Sequence, residues 1–215
     1  MNVEGEETIE AARVGGELRA DEFDHAAWGG ARPVRIARLW SGEAVPPSRH
    51  AEARVLWSAE ALSVRFVCRQ EEPPVVSPAP RRDVKAVGLW DRDVCELFVA
   101  PDASAPHRYF EFEVAPTGEW LDLAIEKTAG GRETDWDYRS GMTVAARARE
   151  GETTLVMRVP FAGLGRSVPA AGEVWRANLF RCAGAGRSRY LAWLPTHTPE
   201  PDFHVPEKFG RLKFV

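Results

Sequence analysis

Short runs in which apolar and polar residues alternate recur along most of the chain, and they are its strongest structural constraint. Examples are ALSVRFVCR (61–69), DVCELFVAP (93–101) and RYFEFEVAP (108–116), which have the two-residue period of a β-strand. About ten such runs follow one another at the regular short spacing typical of sandwiches, and almost no helical periodicity separates them. The pattern predicts an all-β fold with little helix: a single-domain, antiparallel, jelly-roll-like β-sandwich.

The domain boundaries follow from where these runs begin and end. Residues 1–20 carry no clear strand pattern and predict an N-terminal arm, whereas residues 21–215 predict one β-sandwich. Two polar stretches, 70–88 with four prolines and 128–141, predict long surface loops. No internal repeat or linker divides the remainder.

Composition excludes several classes of partner. The net charge is −4, with 28 basic and 32 acidic side chains, so no basic footprint for a nucleic acid is present. No apolar stretch is long enough to span a membrane. The first residues, MNVEGEETIEAARVGG, lack the features of a signal peptide, which predicts a cytoplasmic protein, or a secreted one if the start is processed or truncated. The three cysteines are predicted to be free, buried thiols.

Three glutamates interrupt otherwise apolar strand runs. Glu96 stands between Cys95 and Leu97, while Glu111 and Glu113 share one strand face opposite an aromatic stripe. A carboxylate among apolar neighbours costs stability unless a partner compensates it. One interpretation is a solvated sheet face on which arginines pair with these acids. The other is a concave face on which carboxylates, arginines and flanking tryptophans bind the hydroxyls and apolar face of a sugar.

The eight tryptophans divide by context. Most fall in or beside strand runs and are predicted to pack in the core. Trp90 and Trp136 instead fall at the end of one predicted loop and in the middle of the other. Because a loop tryptophan has fewer packing roles, these two are the better candidates for contact with a ligand.

The segments LWDRDVCELFVAP, RYFEFEVAPTGEWLDL, YLAWLP and FHVPEKFGRLKF together resemble the family 9 carbohydrate-binding modules and their relatives in the DOMON-like β-sandwich superfamily. The resemblance extends from about residue 20 to the end of the chain. Its most specific part is W-x-x-D-x-x-E-x-F, which places Trp90, Asp93, Glu96 and Phe98. The closing P-x-x-F-G-x-L at 206–212 supports it.

The resemblance implies roles for individual residues. Trp90 is similar to a residue that stacks on the sugar ring, and Glu96 to the acid that contacts its hydroxyls. A second stacking tryptophan is expected after AWLP, where this sequence has Phe203 and His204 instead. The residues predicted to bind carbohydrate, from their strand faces or from the resemblance, are Trp90, Glu96, Glu111, Glu113, Asn178, Arg181, Phe203 and His204.

The resemblance also implies a class of function: non-catalytic binding of a mono- or oligosaccharide, in association with a separate glycoside hydrolase. It permits structural calcium but does not locate it. Acidic clusters such as Asp21, Glu22 and Asp24 have suitable oxygen ligands, although no EF-hand pattern is present.

Three alternatives stay open at this point. A glycoside hydrolase would use two carboxylates drawn from Glu96, Glu111 and Glu113. A β-sandwich with a degenerate pocket would serve only structure or partner contacts. A haem- or metal-binding relative would need an axial ligand such as Met142 or Met157.

Overall fold

The protein is an all-β sandwich, and the computed structural model describes residues 7–215. One four-residue α-helix, α1 (Ala27–Gly30), and short 3₁₀ turns accompany fourteen strands. The strands are β1 (Thr8–Arg13), β2 (Val34–Ile36), β3 (Arg38–Leu39), β4 (Ala51–Trp57), β5 (Ala61–Arg69), β6 (Val94–Ala100), β7 (Arg108–Val114), β8 (Trp120–Thr128), β9 (Gly131–Asp135), β10 (Thr143–Arg149), β11 (Glu152–Pro160), β12 (Val174–Cys182), β13 (Tyr190–Ala192) and β14 (Gly210–Phe214).

The strands form two layers joined by β1. One layer runs β1-β14-β12-β6-β7-β8-β9, and the other runs β10-β11-β5-β4-β1. Neighbouring strands are antiparallel except at β1, which pairs in parallel with both β14 and β4. The sheet is therefore mixed: β1 lies between β14 of the first layer and β4 of the second and runs parallel to both.

Large apolar side chains fill the space between the layers. Trp57 and Phe214 meet edge-to-face at 5.6 Å between ring centroids, and Phe161 meets Trp175 at 5.9 Å. The alternation of each strand sends every second residue into this core, as its two-residue period predicts. A smaller apolar cluster, centred on Trp28 of α1, covers the outer face of β4 and β11.

Two segments predicted to lack regular structure contain strands. Thr8–Arg13, within the predicted N-terminal arm, form β1, while residues 1–6 lie outside the described residues. Gly131–Asp135, within the predicted loop 128–141, form β9 at the edge of the first layer. Both strands carry few large apolar residues, so their pairing partners stabilise them more than their own pattern does.

The cysteines are free and buried, as predicted. Cys68 and Cys95 face each other across the two layers with 3.3 Å between their sulfur atoms. No helix in the described part of the chain is long and apolar enough to cross a bilayer.

We expect β1 to be essential for stability, and Ile9→Ala tests this. Ile9 is fully buried and lies beside Leu212, so truncation leaves a cavity and should cost about 2–5 kcal/mol of unfolding free energy. Urea denaturation measures the change. Glu10→Ala, on the opposite face of the same strand, should stay within about 0.5 kcal/mol of wild type. An equally small effect for Ile9→Ala would contradict a structural role for β1.

Candidate functional site

The register of β6 and β7 brings the three predicted glutamates together. Glu96 lies directly beside Glu113, and Phe98 lies directly beside Glu111. All four side chains therefore point to the same face of the first layer, away from the core between the layers. The carboxyl groups are buried, and one oxygen from each glutamate lies within 4.8 Å of the others.

A cavity of about 300 Å³ opens above this face. Glu96 and Glu111 form part of its floor, and aromatic side chains from several segments form its walls. Glu113 lies beneath, adjoining the other two carboxyl groups. The cavity is lined by Trp90, Glu96, Phe98, Glu111, Leu123, Arg132, Thr134, Trp136, Cys182, Tyr190, Pro201, Asp202, Phe203 and His204.

Trp90 lies in a 3₁₀ turn, Leu89–Asp91, just before β6. Gly88 begins the turn with φ +80°, a left-handed conformation that favours glycine. The Arg189 guanidinium donates hydrogen bonds to the backbone oxygens of Trp90 (3.0 Å) and Arg92 (2.7 Å). This contact holds the turn from the segment before β13 and places the indole at the cavity wall.

Trp136 is held by a buried ion pair. Lys85 Nζ lies 2.9 Å from Oδ1 of Asp122, and both side chains are almost fully buried. The contact is an ion pair only, since its angles do not suit a hydrogen bond. Lys85 also donates hydrogen bonds to the backbone oxygens of Trp136 and Tyr138. The second Asp122 oxygen accepts two hydrogen bonds of 2.7 Å from Ser140. Together these contacts fasten the loop after β9 to β8.

The two loop tryptophans consequently meet at the cavity. The Trp90 and Trp136 rings lie 6.4 Å apart with a tilt of 45°. Trp136 remains 47% exposed. A flat apolar ring with this exposure beside polar groups is suited to stack on a ligand.

Burial governs the ionisation of the glutamates. It raises the pKa of Glu96 well above its usual range, and the Glu111 carboxylate raises it further. Burial likewise raises the pKa of Glu113, to which both neighbouring carboxylates add. For Glu111, burial raises the pKa, and the nearby Arg132 guanidinium opposes the shift. All three shifts have the same direction, so the site favours the protonated form of these carboxyl groups.

His204 is neutral. Burial, with Arg132 and Lys127 nearby, lowers the pKa of His204 to about 3. Its Nδ1 lies 3.0 Å from the Tyr109 hydroxyl, and its Nε2 lies 3.9 Å from Oε2 of Glu111. Because the imidazole is uncharged, the contact with Glu111 is no ion pair and does not compensate the carboxylate.

Phe203 lines the cavity with one ring face already occupied. It stacks on Phe180 at 4.0 Å between centroids and with only 9° between the planes. Thus the position where a second stacking tryptophan was expected holds a ring that packs on the sheet. Trp136, from a different part of the chain, lies beside Trp90 at the cavity.

Asn178 and Arg181 lie outside the cavity. The Asn178 amide is fully buried and bonds the backbone of Leu179 and Leu194. Arg181 points to the other face of β12, where it donates to the backbone oxygens of Arg49 and Arg69 and to the Gln70 side chain. Both side chains hold neighbouring segments together, so the structure does not bring them to the other predicted site residues.

Three further polar residues line the cavity that the sequence did not single out: Arg132 and Thr134 on β9, and Asp202 in the segment before β14. Arg132 and Thr134 lie in the stretch 128–141, which the sequence predicts to be a loop. In a loop, the alternation of residues does not indicate which face a side chain points to. Their positions two residues apart on a strand are the signal that locates them on the same face once β9 is recognised.

The acids at 21–24, considered as calcium ligands, are engaged by arginines. Asp21 accepts from the Arg19 side chain at 2.9 Å, and Asp24 pairs with Arg147 through both carboxylate oxygens. Glu22 accepts from the Arg19 backbone. Of the described residues, Glu96, Glu111 and Glu113 alone form a group with metal-ligand spacing.

Neither methionine considered as a haem ligand lines this cavity. Met157 is fully buried in the core, and Met142 packs partly buried against it. A larger cavity of about 620 Å³ lies near Arg181 and Asp93, and its lining contains no aromatic ring. The smaller cavity combines aromatic walls with buried acids, and it is the candidate functional site.

Comparison with known proteins identifies the family of the chain. The sequence model of the family described as carbohydrate family 9 binding domain-like matches residues 21–215. No curated protein sequence matches the chain.

Solved structures share the fold. A Bacteroides uniformis ATCC 8492 protein with a provisional carbohydrate-binding designation superposes with a TM-score of 0.75 at 19% identity, covering 97% of this chain and 99% of its own. Family 9 carbohydrate-binding module structures from Caldicellulosiruptor kristjanssonii were solved with glucose (TM-score 0.65) and with cellotriose (0.66), both at 13% identity. They cover 96% of this chain and 95% and 93% of theirs.

We expect Lys85→Met to destabilise the protein by about 3–5 kcal/mol, because it leaves the buried Asp122 carboxylate without its cation. Urea denaturation provides the measurement. Adding Asp122→Asn should recover part of the loss, since the unpaired charge is then removed. The exposed control Lys208→Met should change stability by no more than about 0.5 kcal/mol. A similarly small change in Lys85→Met would refute the role of the ion pair.

We expect Glu113→Gln to raise the Tm of the protein, and to raise it more at pH 8 than at pH 5. The measurement is made in EDTA, so that no metal ion neutralises the carboxyl groups. A raised pKa in the folded state means that stability is fully present below the unfolded pKa and is lost as pH rises through the folded pKa. The neutral amide avoids that loss. Each pKa unit relieved is worth about 1.4 kcal/mol, or a Tm shift of about 3–6 °C in a chain of this size.

Thermal unfolding followed by circular dichroism across this pH range tests the prediction, with the exposed Glu133→Gln as control. A Tm difference that stays constant with pH would show that Glu113 does not titrate differently in the folded and unfolded chains.

Proposed function

The chain belongs to the carbohydrate family 9 binding domain-like family, and we propose that its cavity binds one sugar ring without catalysing a reaction on it. The observation that carries this proposal is the pair of loop tryptophans beside buried carboxyl groups. Aromatic faces stack on the C–H face of a sugar, and carboxyl oxygens accept hydrogen bonds from its hydroxyls.

The polar groups of the cavity favour a ligand with several hydroxyls. Oε2 of Glu111 is buried and has no hydrogen-bond partner within the described chain. Asp202 and Thr134 add oxygen atoms at the wall, and Arg132 adds donors. A sugar hydroxyl both donates and accepts, so it can satisfy acids and the guanidinium together.

The size of the cavity favours a monosaccharide or the end of an oligosaccharide. Its volume of about 300 Å³ lies at the small end of the range for ligand pockets. Two structural neighbours are family 9 modules in complex with glucose and with cellotriose. Glucose and short cello-oligosaccharides are therefore the first ligands to test.

The arrangement of the acids favours binding over hydrolysis. A glycosidase places two carboxyl groups on either side of the scissile bond. Here Glu96, Glu111 and Glu113 cluster on one sheet face, and Glu113 is fully buried. We propose that any hydrolysis of the same carbohydrate falls to a separate glycoside hydrolase, since acids clustered on one face do not give the two-sided arrangement of a glycosidase.

Isothermal titration with glucose, cellobiose, cellotriose and xylose tests the proposal. Trp90→Ala and Trp136→Ala should each weaken binding of the best ligand about tenfold, because each removes a stacking face worth roughly 0.5–1.5 kcal/mol plus buried area.

Trp120→Ala serves as the matched control. Trp120 is half-buried on the opposite face of β8, away from the cavity, so its loss should leave affinity within about twofold. Absence of binding across the sugar panel would refute the proposal and favour a β-sandwich with a degenerate pocket. Hydrolysis of any oligosaccharide would refute the non-catalytic part alone.

A further inference from the structure

The cluster formed by Glu96, Glu111 and Glu113 beneath the cavity brings together three carboxyl groups that no neighbouring cation pairs with. Glu96 and Glu113 are direct cross-strand neighbours, and Glu111 lies two residues before Glu113 on the same face. Like charges placed opposite each other on adjacent strands are destabilising. Three such side chains, all at least 97% buried, are therefore a local conflict with the stability of the sheet.

Hydrogen bonding leaves most of this cluster unsatisfied. Within residues 7–215, both carboxyl oxygens of Glu113 and Oε2 of Glu111 have no hydrogen-bond partner. Glu96 accepts a hydrogen bond from the Cys182 thiol, a weak donor, at 3.4 Å. Buried polar atoms are nearly always paired, so these unpaired oxygens point to a ligand that binds them.

Basic side chains do not neutralise the cluster. In the described chain, no lysine or arginine forms an ion pair with any of the three carboxyl groups. His204 Nε2 lies 3.9 Å from Oε2 of Glu111, but its ring is neutral. Arg189 acts on Glu96 and Arg132 on Glu111 only through space, so among the described residues no cation is in direct contact with these acids.

The spacing of the oxygens fits a calcium ion. Ca²⁺ binds oxygen ligands at about 2.3–2.6 Å, so two oxygens on the same ion lie no more than about 5 Å apart. One oxygen from each of Glu96, Glu111 and Glu113 meets this condition, since all three lie within 4.8 Å of one another. Carboxylates with irregular spacing suit Ca²⁺ better than Mg²⁺, which demands near-ideal octahedral geometry at shorter distances.

We propose that Glu96, Glu111 and Glu113 together bind a calcium ion at the floor of the cavity. The three carboxylates supply a partial ligand set from rigid strands, and the side facing the cavity leaves room for water or a ligand hydroxyl to complete it. Calcium would convert a repulsive cluster into a cross-link between β6 and β7. The calcium site shares Glu96 and Glu111 with the cavity proposed to bind sugar, but calcium binding can be tested without any sugar present.

Thermal unfolding of the full chain, first stripped with EDTA and then titrated with Ca²⁺, tests this proposal. Calcium at about one hundred times its Kd should raise Tm by roughly 5–11 °C, because it binds the folded chain alone. Isothermal titration with Ca²⁺ should give one binding site. Glu111→Gln and Glu113→Gln should remain folded in EDTA and lose most of the calcium-dependent Tm gain. Glu133→Gln, an exposed glutamate on β9, should keep it.

The proposal is overturned if wild type shows neither a calcium heat nor a Tm gain, or if both glutamine variants keep the full gain. Selective binding of Zn²⁺ without Ca²⁺ would also overturn it, because it would require softer ligands such as His204 or Cys182. These measurements contain no sugar, so their failure leaves the proposed carbohydrate binding intact. A negative sugar panel in turn leaves the calcium measurement unaffected.

Discussion

Strands β12, β6 and β7 pair in one fixed register, and both the core and the cavity depend on it. Phe180 lies beside Glu96, and Glu96 lies beside Glu113. Side chains alternate between the faces of a strand, so a slip of one residue in β6 would turn Glu96 into the core. It would also turn the apolar stripe of Cys95 and Leu97 toward the cavity. The apolar core selects the register, and the register places the acids on the opposite face.

The two tryptophans that line the cavity come from loops, and two cations position them. Arg189 binds backbone oxygens of the turn that carries Trp90, and Lys85 binds those of the loop that carries Trp136. Neither cation reaches the cavity. Functional side chains on loops need such support, because a loop lacks the regular backbone hydrogen bonds that fix the orientation of residues in a β-sheet.

Stability and function conflict at the glutamate cluster. Burying three carboxyl groups without a cation is unfavourable, whereas apolar residues at these positions would pack a continuous face. The three glutamates therefore lower the stability of the protein, although the fold itself could form with apolar residues in their place. Such departures from local consistency are expected at functional sites, and here the penalty coincides with the cavity floor.

Local patterns in the sequence determined the strands from β4 to β8, the shared face of Glu111 and Glu113, and the separation of Trp90 and Trp136 from the core tryptophans. Each of these depends on the alternation or composition of adjacent residues, which the sequence records directly. The tertiary structure alone decided that β1 and β9 are strands, that Asn178 and Arg181 bond neighbouring backbone, and that Trp136 contacts Trp90. Those outcomes depend on contacts between segments that are far apart in the chain. The free energy of such contacts cannot be inferred from the pattern of neighbouring residues.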